Sequence, residues 1–68
     1  MTPYITAELI YDTIYSAVKP KNLTLDEEIL YAAKVKELTH TGIDFMLKIC
    51  TGNNVDFLLD CKLEANKL

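Results

Sequence analysis

Apolar residues recur every three to four positions along most of this chain, and a few short polar stretches interrupt the rhythm. At about 100° per residue this is helical periodicity, and it predicts four helices. The first covers about Pro3 to Val18. Thr2 suits an N-cap and Pro3 the first helical position, while Pro20 cannot continue a helix and pushes Lys19 out of the helical region. The second covers about Leu25 to His40. Thr24 with Glu27 makes a capping box, and Asp26, Glu27 and Glu28 all favour the positive end of the helix dipole.

"THTG" predicts a break, with Thr41 and Asp44 offering a second cap for a third helix over about Gly42 to Thr51. "TGNN" stops that helix, with Gly52 placed to take a left-handed conformation. A fourth helix, capped by Asn53 or Asn54, runs from about Val55 to the last residue. One alternative stays open at Thr41–Gly42, where helices two and three join as a single kinked helix. The expected fold is all-α, a compact bundle of three to four short helices forming one domain over residues 1–68.

The faces of these helices carry more information than their ends. The first helix gathers Ala7, Ile10, Tyr11, Ile14, Ala17 and Val18 on one side, with Tyr4 and Tyr15 along an edge. Glu8, Asp12, Thr13 and Ser16 lie opposite, and so do Ile5 and Leu9, which are four residues apart and therefore adjacent. The second helix has two apolar stripes, Leu25, Ile29, Ala32 and Ala33 on one and Tyr31, Val35 and Leu38 on the other. The third is apolar nearly all round, with Ile43, Met46, Leu47 and Cys50 on one side and Phe45 and Ile49 on the other. That composition predicts the most buried helix, with Asp44 and Lys48 paired on its surface. In the fourth, Phe57, Leu58, Cys61, Ala65 and Leu68 share a face, and Val55, Leu59 and Leu63 form a second ridge.

This is more apolar surface than one core can use. Ile5 and Leu9 either touch the chain's own fourth helix or anchor a contact with another chain, rimmed by Glu8 and Asp12. Tyr4, Tyr11 and Tyr15 either flank the core or add area to that contact, since tyrosine combines a large apolar ring with a polar tip.

Composition narrows the function. Half of the 68 residues are apolar and glycine and proline are scarce, as in a packed helical domain. No run approaches the ~18 apolar residues of a spanning helix. The N-terminus has no signal-peptide pattern, so the expected compartment is the cytoplasm. The net charge is −3, and all seven basic residues are lysines. Arginine is the preferred group for phosphate and guanine, so its absence argues against nucleic acid. A helix-turn-helix over "AAKVKELTHTGIDFMLKI" would put Asp44 near the start of its reading helix, where an acid repels phosphate.

Candidate chemistry is thin. Ser16, His40 and an acid are the only triad material, with His40 expected at a helix end. Cys50 and Cys61 with one histidine cannot complete a Cys₄ or Cys₂His₂ zinc site. In a hairpin turning near Gly52 the two thiols stand roughly 9 Å apart along the axes at ~1.5 Å per residue, beyond disulfide reach. The acids at Asp26–Glu28 are explained by capping, and no glycine-rich loop cradles phosphate. The expectation is therefore a non-enzymatic protein without catalytic residues, metal or cofactor. It would be a protein-binding regulator, adaptor or inhibitor of the kind phages and bacteria encode. Its partner is another protein, expected to carry a basic patch. A homodimeric assembly protein is the first alternative and a DNA-binding regulator the second.

Overall fold

Three helices, not four, make up the computed structural model, which describes residues 1–68, with Val18 through its backbone alone. Helix α1 spans Pro3–Val18, α2 spans Leu25–Ile49 and α3 spans Asn53–Ala65. They pack against one another in a small all-α fold without strands among the described residues. Tyr15, late in α1, meets Glu28 and Tyr31 early in α2, while Ala7 joins a cluster with Ile43 farther along. The two helices are therefore antiparallel. Helix α3 runs back along the C-terminal half of α2, with Lys62 on Asp44 and Lys36 on the Asn66 carbonyl. Because α2 outruns both partners, the molecule is elongated, 43 × 19 × 16 Å.

The first two helix starts follow the expected caps. The Thr2 hydroxyl accepts from the Ile5 amide, and Thr24 and Glu27 form a complete capping box. Those hydrogen bonds, from the Thr24 backbone first and its side chain second, hold the Glu27 carboxyl below its ordinary pKa.

The break expected at "THTG" does not occur. Both threonines there bond backwards into the helix, Thr39 Oγ1 to the Val35 carbonyl at 2.9 Å and Thr41 Oγ1 to that of Glu37 at 3.1 Å. A threonine hydroxyl can serve a cap or the preceding turn, and burial of Val35, Thr39 and Ile43 along one side selects the second. Gly42 is thus a helix-interior glycine. Asp44, freed from capping, pairs with Lys62 at 2.7 Å rather than with Lys48. His40 lies mid-helix instead of at an end.

The last boundary also shifts. Helix α3 starts at Asn53 with Gly52 as its N-cap and no side-chain cap. Gly52 has φ 71° and ψ −141°, a conformation that L-residues avoid, while Asn22 provides the other positive φ, 62°, in the loop after Pro20. The two glycines therefore make opposite demands. A Cβ on either meets nothing within 4 Å, so sterics with neighbours do not decide the outcome. Gly42→Ala is expected to raise unfolding stability by about 0.5–1 kcal/mol through helix propensity. Gly52→Ala is expected to lower it by about 1–2 kcal/mol through backbone strain. Urea unfolding of the two variants checks both signs.

The fully covered core is small. Ala7, Ile43, Leu58, Cys61 and Ala65 form it, with Ile10, Met46, Leu47, Cys50, Phe57 and Leu68 packed around. The side expected of α3 is the one buried, and so is the Ile43–Met46–Leu47–Cys50 side of α2. The opposite side of that same segment is open, with Phe45 62% and Ile49 67% exposed. The C-terminal half of α2 is consequently not the most buried element. Helices α1 and α3 cover one side of it, and a helix apolar all round then shows the rest to solvent. Val18, expected on the buried face of α1, has a side chain outside the described set.

Candidate functional site

The outer side of α1 is built by register alone. Ala7 is completely buried, and Ile10, Tyr11 and Ile14 are half-buried on the same side. Ile5 and Leu9 point the other way, 49% and 54% exposed, one turn apart. Neither belongs to the buried cluster or to the apolar side chains packed against it. Glu8 and Asp12 are exposed beside them, so the pair forms a small apolar ridge with an acidic margin.

The tyrosines divide. Tyr11 and Tyr15 stack at 5.8 Å between ring centroids, and Tyr15 meets Tyr31 edge-on at 4.8 Å. The Tyr31 hydroxyl donates to the Tyr15 carbonyl at 2.6 Å, and the Tyr15 hydroxyl donates to Glu28 Oε1 at 3.1 Å. Lys19 lies 5.2 Å from the Tyr15 ring centroid and 3.5 Å from Glu28 Oε1. Burial first, then the Glu28 hydrogen bond, raises the Tyr15 pKa above its ordinary value. This cluster ties the end of α1 to the start of α2, which gives Tyr11 and Tyr15 a structural task. Tyr4 alone of the three stays at the margin, 38% exposed.

Other polar groups do not converge. An open groove of about 680 Å³ between α2 and α3 is lined by His40, Leu59, Lys62, Leu63 and Asn66. Two of its polar groups are engaged, Lys62 by Asp44 and the Asn66 carbonyl by Lys36. Ser16 is exposed late in α1, whereas His40 is half-buried in this groove. Among the described residues no three His, Cys, Asp or Glu side chains gather as metal ligands would. No helix of the described residues is long and apolar enough to cross a membrane. The two-helix element proposed for DNA reading is absent, since residues 32–49 lie within one helix.

Both cysteines are free thiols, Cys50 half-buried and Cys61 fully buried. Burial pushes the Cys61 pKa up, and the neighbouring Asp60 carboxylate adds to the effect. A thiol held protonated and covered is a poor nucleophile. In a thiol-reagent assay on the folded protein, Cys50 is expected to react first and Cys61 only at the rate of local or global opening. Equal rates for both would contradict the burial of Cys61.

The apolar surplus expected from the sequence lies at two places on α2 that the sequence did not single out. Leu38, Phe45 and Ile49 on its far side are 38%, 62% and 67% exposed. Leu25, Ile29 and Leu30 at the start of α2 are 75%, 61% and 71% exposed. The lengths of α2 and α3 were the missing signal, since only joining helices two and three reveals how much of α2 is left uncovered. No protein-family model matches the chain, and no curated protein or solved structure proved significantly similar to it.

Proposed function

We propose that this chain is a small non-enzymatic protein-binding module of the cytoplasm, a regulator, adaptor or inhibitor that works by covering a surface of its partner. The observation that carries the reading is the outward ridge of Ile5 and Leu9 on α1, roughly half exposed where a helix of this kind ordinarily carries polar residues. Contiguous exposed apolar surface rimmed by polar residues is a mark of contact sites. Glu8 and Asp12 beside the ridge favour a partner whose apolar groove has a basic margin, and such charge matching speeds encounter. Tyr4 adds an aromatic side chain at the edge.

The test uses the double variant Ile5→Asp with Leu9→Asp as bait in affinity capture, beside the unaltered chain. Both substitutions lie on exposed positions, so circular dichroism and the thermal midpoint are expected to stay close to those of the parent. The reading expects a protein captured by the parent and lost from the folded double variant. Undiminished capture by that variant, or no specific capture by the parent, overturns it.

A further inference from the structure

Helix α2 begins well before α3 can reach it. The end of α3 meets α2 at Lys36, whose Nζ donates to the Asn66 carbonyl at 2.8 Å. From Leu25 to that point α1 flanks α2, through Tyr15 on Glu28 and Tyr31. Leu25, Ile29 and Leu30 are 75%, 61% and 71% exposed in this stretch. Its sequence, "LDEEILYAAKVK", places three acids at one end, two lysines at the other and apolar residues between them.

A segment charged in that way complements a reversed copy of itself. We propose that a second copy of this chain packs here, α2 antiparallel to α2, about a two-fold axis at Leu30. Leu30 then meets its own counterpart. Asp26 lies four positions before Leu30 and Lys34 four positions after it, so the axis sets Asp26 opposite the partner subunit's Lys34, and the reverse pair forms by symmetry. Neither Asp26 nor Lys34 takes part in an intramolecular ion pair among the described residues. Ala33, exposed and small, lets the two helices approach.

The α1 ridge offers no such pairing, because α1 carries Glu8 and Asp12 and no lysine. The dimer does not depend on the partner-binding reading, and either can fail alone.

Sedimentation equilibrium of the intact chain over a wide concentration range tests it. The parent is expected to dimerise reversibly and Leu30→Asp to remain a folded monomer. Asp26→Lys is expected to weaken the dimer about tenfold or more by opposing two lysines. Adding Lys34→Asp is expected to restore it to within about threefold of the parent, a rescue that loss of helix-dipole stabilisation at Asp26 cannot produce. A parent monomeric at all concentrations overturns the proposal. So does a dimer indifferent to Leu30→Asp, one that the charge exchange fails to rescue, or one dissolved by Ile5→Asp with Leu9→Asp.

Discussion

Ile43→Ala is expected to lower unfolding stability by about 2–5 kcal/mol, the largest effect of any single truncation in this chain. Ile43 is fully buried at the centre of the cluster where α1, α2 and α3 meet, beside Ala7, Leu58, Cys61 and Ala65. Removing three carbons from that place loses their transfer energy and leaves a cavity that three helices held at once cannot readily close. A 68-residue domain has a total stability of about 3–10 kcal/mol, so the variant stands near the folding threshold. Circular dichroism is expected to show a melting midpoint lowered by about 8–40 °C, at ~4–8 °C per kcal/mol. A shift of only a few degrees would remove Ile43 from the centre of the core. Phe45→Ala, two positions away but 62% exposed, is expected to cost far less, which separates burial from hydrophobicity as the cause.

The second large effect runs in the opposite steric direction. Ala7 and Ala65 are both completely buried, and both belong to the cluster that joins α1 to α3. Small side chains at such positions let helix backbones come close, and a larger one must push them apart. Ala7→Leu is expected to cost about 1–3 kcal/mol by overpacking although it adds apolar surface. Ala17→Leu, on the same helix at an exposed position, is expected to stay within about 0.5 kcal/mol of the parent. Urea unfolding of the pair gives the contrast directly. A neutral Ala7→Leu would mean that α1 and α3 do not approach closely at Ala7.

Helix faces were legible in the sequence to a greater extent than helix ends. Most inward positions of α1 and α3 follow from periodicity alone, because each is amphipathic with one wide apolar side, and Ala7, Leu58, Cys61 and Ala65 fall where that side predicts, while Ala17, expected on the same side of α1, is exposed. The outward position of Ile5 and Leu9 follows from the same register. Residues 38–49 were harder. A helix apolar all round has no phase from which to read its buried side, so Phe45 and Ile49 could not be told from Ile43 and Leu47 until their neighbours were placed. "THTG" misled because threonine and glycine are cap residues by local chemistry, while here the threonines bond to the Val35 and Glu37 carbonyls. A row of tyrosines has the same spacing at a core edge and on a contact surface, so periodicity alone does not separate the two roles for Tyr11 and Tyr15. Their engagement with Tyr31 and Glu28 depends on how α1 meets α2, which no local pattern encodes.

The continuity of α2 through Gly42 underlies the rest. It turns Phe45 and Ile49 outward, removes the turn that a DNA-reading pair would need, and carries the start of α2 beyond the end of α3. Amide hydrogen exchange across residues 37–46 tests it most directly. In one helix the amides of Thr41, Gly42, Ile43 and Asp44 bond to the carbonyls of Glu37, Leu38, Thr39 and His40. Slow exchange running without interruption from Val35 to Leu47 is the expected result. Fast exchange confined to Thr41, Gly42 and Ile43 between two protected stretches would mark a turn there and contradict the single helix.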